Sequence, residues 1–274
     1  MSDNSEALAR IAAALDRLAP PPAEPLDWNA APAHVWSDKG ARAVADTDAL
    51  PLSTLRGIDT AKTAVISNLT RLSQGGAAHD MLLWGARGMG KSALIRAAVA
   101  DIQHSDPQSL GLVQLSPDGL GSTALLIEAL AAQPRPMLIF LDDLGFAAGQ
   151  KQDSLALRSL LDGGVISRPA HIRLAVTSNH RGIVVRDAPN GEVLHERDER
   201  DDALALADRF GLKLAFHPCD RDTYLDILSA YTEPLGLAFD HEEALAWAIT
   251  QGNRSGRTAY QFAVELAGRA GKTL

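Results

Sequence analysis

The octapeptide GARGMGKS, residues 85–92, constrains the fold of this chain more than any other stretch. It satisfies the pattern G-x-x-x-x-G-K-[ST], in which a glycine-rich loop surrounds phosphate groups with backbone N–H donors. The apolar run MLLW before it indicates a short buried strand, and GKSALIRAAVADIQ after it is typical of a helix. A strand, a phosphate-binding loop and a helix in this order predict a parallel α/β protein.

The residues of this loop have different expected roles. The glycines permit a tight turn, and the helix that starts near Gly90 directs its positive end at the phosphates. We expect Lys91 to contact the β- and γ-phosphates of a nucleotide and the Ser92 hydroxyl to coordinate Mg²⁺. The predicted nucleotide-binding residues are Gly85, Ala86, Arg87, Gly88, Met89, Gly90, Lys91 and Ser92.

Polar residues end two of the later strands. In MLIFLDD, Asp142 follows a buried strand and is expected to hold Mg²⁺ through its water shell. Asp143 could orient or deprotonate the attacking water, although a loop aspartate or helix cap would give the same pattern. In AVTSNHR, Asn179 could bond the water or the γ-phosphate, and a turn asparagine is the alternative.

Strands alternate with helices from Ile58 to Pro218, which predicts a parallel sheet that is covered on both faces. Three helical stretches then follow near residues 221–234, 241–251 and 257–270. We therefore divide the chain into an N-terminal segment (1–50), an α/β nucleotide-binding core (51–218) and a helical lid (219–274).

The N-terminal segment has two predicted parts. Residues 5–19 show apolar positions at helical spacing, which indicates an amphipathic helix that docks on its own domain, binds a partner or self-associates. The proline-rich stretch after it is interpreted as an extended linker. Trp28 and Trp36 are expected to tether this linker to the domain surface.

The composition of the chain limits the kinds of partner that we expect. The chain has 26 Lys and Arg residues against 34 Asp and Glu, a net charge of −8, so nucleic acid is not favoured as a partner. No run reaches the roughly 20 apolar residues that cross a bilayer, so we expect no membrane partner. A single cysteine, Cys219, excludes an intramolecular disulfide and fits a reducing, cytoplasmic location.

With these pieces in order, the chain resembles an AAA+ ATPase. The resemblance implies a five-stranded parallel sheet in the order 5-1-4-3-2 and a homo-oligomer, either a hexameric ring or a spiral. The segment ALADRFGLKLAF resembles one that carries an arginine finger for the neighbouring subunit, which identifies Arg209 as the candidate. In GNRSGRTAYQF, Arg257 matches the lid sensor of the γ-phosphate, with Arg254 as the second choice.

More narrowly, residues 26–270 resemble an uncharacterised bacterial family of small stand-alone AAA+ ATPases, domain of unknown function 815. The leading hypothesis is an ATP hydrolase that remodels, loads or activates an unknown protein partner. The alternatives are an ATP-binding oligomeric switch with little turnover, since Asp143 replaces the more common glutamate, or a helicase-loader-like protein that acts on a nucleic-acid complex. A polypeptide unfoldase is disfavoured because the loop at residues 116–124 has Leu120 but no aromatic residue.

Overall fold

A computed structural model of the chain describes residues 26–144, 168–179 and 205–274, together with residues 10, 157–158 and 160–161. Apart from residue 10, the predicted helix over residues 5–19 lies outside this described part. The strands are β1 (Ala33–Ser37), β2 (Gly40–Val44), β3 (Met81–Gly85), β4 (Gly111–Leu115), β5 (Met137–Leu141), β6 (Ile172–Ser178) and β7 (Leu212–Phe216). They form one seven-stranded sheet in the order β2-β1-β4-β5-β6-β3-β7.

The helices in the described residues lie beside this sheet and after it. Those with both ends in the described residues are α1 (Asp59–Ser73), α2 (Lys91–Ser105), α3 (Thr123–Ala131), α4 (Arg221–Thr232), α5 (His241–Thr250) and α6 (Gly256–Arg269), with short 3₁₀ turns at Leu52–Thr54, Pro117–Ser122 and Glu233–Leu235. Helices α4 to α6 pack together after the last strand, as a helical lid would. Each begins at a polar cap, respectively Asp220, Asp240 and Ser255, whose side chain accepts a backbone N–H of the first turn.

The expectation of a five-stranded, all-parallel sheet is wrong, because the sheet has seven strands and mixed directions. Strand β1 pairs in parallel with β4, and β2 returns antiparallel to β1. Both strands come from residues 33–44, within the N-terminal segment (1–50) that we expected to be extended after its helix. They cover the edge of β4, which would otherwise present unpaired N–H and C=O groups. The remaining strands are mutually parallel, in the order β7-β3-β6-β5-β4.

The two faces of the sheet support separate apolar layers. Side chains alternate along each strand, so the buried residues Leu82 and Leu83 of β3 belong to opposite layers. One layer joins the sheet to α1, α2 and the lid helices. The other contains α3 and both tryptophans of the N-terminal segment. No helix in the described ranges is both long and apolar enough to cross a membrane.

The N-terminal segment is attached to the core by buried polar contacts as well as apolar ones. Trp28 and Trp36 are only 4% and 9% exposed, which confirms that they tether the segment. Arg135, before β5, is also buried. Its guanidinium donates to the carbonyls of Trp28 and Ala31 at 2.9 and 3.1 Å. It also donates to the carbonyls of Pro107 and Leu110 at 2.6 and 2.9 Å.

These contacts make Arg135 a test of how the N-terminal segment contributes to stability. We expect Arg135→Met to lower the free energy of unfolding by about 3 kcal/mol, because buried carbonyls lose their donor. Urea unfolding followed by tryptophan fluorescence measures the change. The control is Arg42→Met, on the exposed strand β2, which should change stability by less than about 0.5 kcal/mol. Equal effects of the two substitutions would contradict this role.

Candidate phosphate-binding site

The glycine-rich loop leaves β3 by passing directly over the end of β7. Gly85 has φ +121°, and a Cβ there would lie 2.2 Å from the Phe216 carbonyl oxygen. The next residue, Ala86, donates its N–H to the same oxygen at 2.8 Å. Only glycine fits this close approach, so the first glycine of the motif is required by contact with a neighbouring strand as well as by the turn.

The same loop contacts the helical lid. Gly88, with φ +74°, accepts a hydrogen bond on its carbonyl oxygen from the Arg257 N–H at 3.1 Å. A Cβ at Gly88 would lie 2.8 Å from the Ser255 Oγ, which caps helix α6. Gly90, with φ +84°, is the residue from which α2 begins. The phosphate loop is thus held between the sheet on one side and the start of α6 on the other.

Lys91 is the buried cation of this region, with 6% of its surface exposed. Its Nζ donates to the carbonyl oxygens of Gly85 at 2.9 Å and Ala86 at 2.8 Å, and to Asn179 Oδ1 at 2.9 Å. Burial lowers the pKa of Lys91 to about 8, against the opposing influence of Asp143 and Asp142. The lysine therefore joins the loop to the end of β6 and remains titratable near neutral pH.

The two aspartates after β5 face this lysine and are joined to β6. Asp142 Oδ1 accepts hydrogen bonds from the hydroxyls of Ser92 and of Thr177, the latter at 2.7 Å. Asp143 Oδ1 accepts a bond from the Asn179 side-chain amide. Asp143 also has φ +52°, in the left-handed region. A carboxylate beside a serine hydroxyl supplies the hard oxygen ligands that Mg²⁺ prefers.

These residues line a cavity of about 930 Å³ between the sheet and the lid. Ligand pockets in proteins typically have volumes of roughly 300–1,000 Å³. One end is charged, with Arg87, Lys91 and Arg257 near the two aspartates. Apolar and aromatic residues also line the cavity, and they include Leu50, Leu55, Tyr231, Pro234, Leu235 and Tyr260. The rings of Tyr231 and Tyr260 contact each other edge-on, 5.4 Å between centroids.

The cavity brings together most of the residues singled out in the sequence. Those that line it are Arg87, Gly88, Met89, Gly90, Lys91, Ser92, Asp142, Asp143, Asn179 and Arg257. Gly85 and Ala86 contribute carbonyl oxygens to Lys91. Arg209 does not line the cavity; it is exposed, and its guanidinium donates to the Ala205 carbonyl at 2.8 Å. Arg254 does not line it either, which leaves Arg257 as the lid arginine at the site.

Sequence reasoning missed Thr177 and the tyrosines of the lid. Thr177 lies two residues before Asn179, so side-chain alternation along β6 directs both towards the same side of the sheet. That signal could have identified it. Tyr231 and Tyr260 carry no such signal, because they meet only through the packing of α4 against α6.

Comparison with known proteins places this geometry in a family and a fold. Residues 29–270 match the family described as protein of unknown function (DUF815), as the sequence resemblance suggested. A search of the curated proteins finds no match.

Several solved structures share the fold. The RuvB Holliday junction branch migration motor of Thermotoga maritima is 14% identical, with a TM-score of 0.52 over 81% of this chain and 66% of that chain. The ORC1 protein of Aeropyrum pernix, in complex with DNA, is 16% identical, with a TM-score of 0.58 over 79% of this chain and 61% of that chain. Domain III of the replication initiation protein DnaA from Thermotoga maritima is 13% identical, with a TM-score of 0.50 over 80% of this chain and 87% of that domain.

All three are AAA+ P-loop ATPases, and the fold of this chain is therefore the AAA+ fold. This chain spans slightly less than two thirds of the RuvB and ORC1 chains. At these identities the similarity establishes the fold alone.

The lowered pKa of Lys91 has a measurable consequence. A charged ammonium attracts phosphate groups and a neutral amine does not, and the free protein loses this charge as the pH rises through about 8. We expect the affinity for a fluorescent ATP analogue with Mg²⁺ to fall by about tenfold between pH 7 and pH 9. Lys91→Arg should abolish this pH dependence, because arginine keeps its charge throughout the range. If the wild-type protein had the same affinity at pH 7 and pH 9, the expected contact between Lys91 and the phosphates would be refuted.

Proposed function

This chain belongs to the DUF815 family and has the AAA+ fold, and we propose that it binds ATP with Mg²⁺ and hydrolyses it to change the conformation of a protein partner. One observation carries the proposal. The buried Lys91 ammonium, the Asp142 and Asp143 carboxylates and the Asn179 amide meet at one end of a nucleotide-sized cavity. Phosphoryl transfer uses a cation to bind the phosphates, carboxylates to hold the metal and activate water, and a polar group to orient that water.

The charged end of the cavity suits a polyphosphate. Arg87, Lys91 and Arg257 supply three cationic side chains around a loop whose glycines expose backbone N–H groups. The positive end of α2 adds to this field. The side chains of Arg87 and Arg257 are exposed at the cavity, so both are accessible to phosphate oxygens. Lys91 would bind the β- and γ-phosphates and Arg257 would sense the γ-phosphate.

The two acidic residues would have different roles, one in metal binding and one in the activation of water. Ser92 and Asp142 would hold Mg²⁺, which when bound neutralises charge on the phosphates. Asp143 would accept a proton from the attacking water, and Asn179 would orient either that water or the carboxylate to which it is bonded. Both carboxylates are exposed to the cavity, as residues that contact water and metal need to be.

The apolar and aromatic residues of the lining would bind the base. Leu50 and Leu55 precede the phosphate loop in sequence, while Tyr231 and Tyr260 belong to the lid. Aromatic and aliphatic side chains give a flat purine ring an apolar surface from which water is excluded. A nucleotide in this cavity would therefore contact both the sheet and the lid, so its binding would favour one relative position of the two.

Arg209 would complete the site of a neighbouring copy of the chain. It lies outside the cavity of its own chain, is exposed and precedes β7 by only a few residues. An arginine supplied across an interface stabilises negative charge on the transferring phosphoryl group. We therefore propose a homo-oligomer, a hexameric ring or spiral, in which Arg209 acts in trans.

The position of Leu120 argues against threading of a polypeptide along the loop at residues 116–124. It therefore favours a partner that is remodelled in another way. Leu120 is buried, and the neighbouring Gly119 lies against Trp36. Trp36 Nε1 donates to Ser122 Oγ at 2.9 Å, and the Trp36 carbonyl accepts the Ser116 hydroxyl at 2.7 Å. Leu120, the large apolar residue of this loop, is therefore not available to grip an extended polypeptide.

A second candidate function is action on a nucleic-acid complex. The RuvB motor acts at Holliday junctions, and the ORC1 structure contains DNA. The net charge of −8 favours a protein partner over a direct hold on the phosphate backbone. We therefore rank remodelling or loading of a protein partner first.

The hydrolytic role of Asp143 can be separated from nucleotide binding. Asp143→Asn should keep the affinity for ATP within a few-fold and lower the turnover rate by about 100-fold or more, because it removes the general base. Lys91→Ala should weaken binding itself. Phosphate release and binding of a fluorescent ATP analogue measure the two properties. The control is Asp101→Asn, an exposed aspartate on α2 outside the cavity lining.

Turnover by Asp143→Asn equal to that of the wild-type protein would contradict the assigned role. A wild-type protein that binds ATP without turnover would instead support the alternative of an oligomeric switch.

Action of Arg209 in trans predicts complementation between two inactive variants. Arg209→Ala should bind ATP normally and lose about 1,000-fold in turnover, within the range typical of arginine fingers. When mixed with Asp143→Asn, it should regain activity, because some interfaces then pair an intact Asp143 with an intact Arg209. Phosphate release as a function of the mixing ratio measures the effect.

The matched control is Arg221→Ala, an exposed arginine on the lid outside the cavity. This variant should hydrolyse ATP normally on its own. If the mixture released phosphate no faster than the sum of the rates of its two variants, action of Arg209 in trans would be contradicted.

A further inference from the structure

Thr177 lies at the end of β6 and links the two aspartates that follow β5. Its side chain is buried, with 1% exposed. The Thr177 Oγ1 donates to Asp142 Oδ1 at 2.7 Å and accepts the N–H of Asp143 at 2.8 Å. One hydroxyl therefore contacts the side chain of the candidate metal ligand and the backbone of the candidate general base.

The direction of each hydrogen bond is fixed by chemistry. A backbone N–H can only donate, so the Thr177 oxygen accepts from Asp143. The single hydroxyl proton is then left for Asp142, whose ionised carboxylate can only accept. Ser92 donates to the same oxygen, Oδ1. Among the described residues no donor is hydrogen-bonded to Asp142 Oδ2, and Asp142 is an exposed residue of the cavity lining.

The backbone of Asp143 needs such support. Its φ of +52° lies in the left-handed region, which is unfavourable for a residue with a side chain. Thr177 holds this turn at two points, because its Oγ1 accepts the Asp143 N–H and its carbonyl oxygen accepts the Leu144 N–H at 2.9 Å. The Asn179 amide then holds the Asp143 side chain.

Threonine is the residue type that meets these requirements in a strand. Its hydroxyl both donates and accepts, and its β-branch restricts χ1, so the hydroxyl stays in one direction. Valine has the same shape and can make neither bond. Serine can make both bonds but lacks the methyl group.

We propose that Thr177 is a positioning residue, which orients the Asp142 carboxylate towards Mg²⁺ and holds Asp143 in the conformation that activates water. The proposal rests on the proposed function of the site, since it assigns to Thr177 the relative placement of the metal ligand and the base. Groups that orient metal ligands in this way typically affect metal affinity or activity by about 10- to 100-fold.

The test is a Mg²⁺ titration of the binding of a fluorescent ATP analogue to the full chain. In Thr177→Val we expect the Mg²⁺ concentration at the midpoint to rise by about tenfold, with the affinity in EDTA unchanged. Thr177→Ser should return the midpoint to within about threefold of the wild-type value. If the protein hydrolyses ATP, kcat of Thr177→Val should fall by about tenfold or more, while KM at saturating Mg²⁺ changes little.

A matched control is Thr232→Val, which removes another buried hydroxyl, one bonded to the Leu228 carbonyl at 3.1 Å. It should leave the Mg²⁺ midpoint unchanged. A Thr177→Val protein that is less stable but has the wild-type midpoint would overturn the proposal, because its effect would be purely structural. Should Thr177→Val fail to fold, Thr177→Ala replaces it, with the same expected and overturning midpoints.

Failure of this proposal is distinguishable from failure of the proposed function. If the wild-type protein binds the analogue in a Mg²⁺-dependent way and never hydrolyses ATP, the hydrolytic function fails and the midpoint still decides the role of Thr177. If Mg²⁺ does not affect binding to the wild-type protein, the positioning role is overturned together with the metal site.

Discussion

The ammonium group of Lys91 is held at the edge of the sheet by the carbonyls of Gly85 and Ala86 and by the side chain of Asn179. A buried cation is unfavourable unless acceptors surround it, and the loop, β6 and the nearby Asp142 and Asp143 supply the bonds and the opposite charge. The rest of the site follows from this requirement. The strands β3, β5 and β6 must end at the same edge, which a parallel arrangement achieves.

The second constraint is the contact between the phosphate loop and the lid. The Gly88 carbonyl accepts the Arg257 N–H, and Ser255 caps α6 beside it. Because α6 begins at this contact, the position of the lid is tied to the conformation of the loop. Tyr260 on the same helix also lines the cavity. Under the proposed function, the phosphates of the nucleotide would contact Arg257 and its base would contact Tyr260, so both parts of the nucleotide would contact the lid.

The local features of this protein could be predicted from the sequence, and the non-local ones could not. The strand, loop and helix around Lys91 follow from short-range pattern, and so do Asp142 and Asn179 at strand ends. The hairpin at residues 33–44 was missed because it is short, lies next to prolines and finds its partner in β4, far along the chain. Strand alternation could have placed Thr177 on the same side as Asn179, but its bonds to Asp142 and Asp143 could not be predicted, because they depend on the left-handed turn at Asp143. Arg209 lies outside the cavity of a single chain, so its proposed role depends on an interface with a second copy.

The most direct test of this account is the fate of ATP on the wild-type chain. Excess ATP and Mg²⁺ are incubated with the assembled protein, and ADP, phosphate and intact ATP are quantified over time by ³¹P NMR. The account predicts many equivalents of ADP and phosphate per subunit, and none when EDTA removes the metal. ATP that binds to the protein and is recovered intact after prolonged incubation would contradict the hydrolytic role of the site.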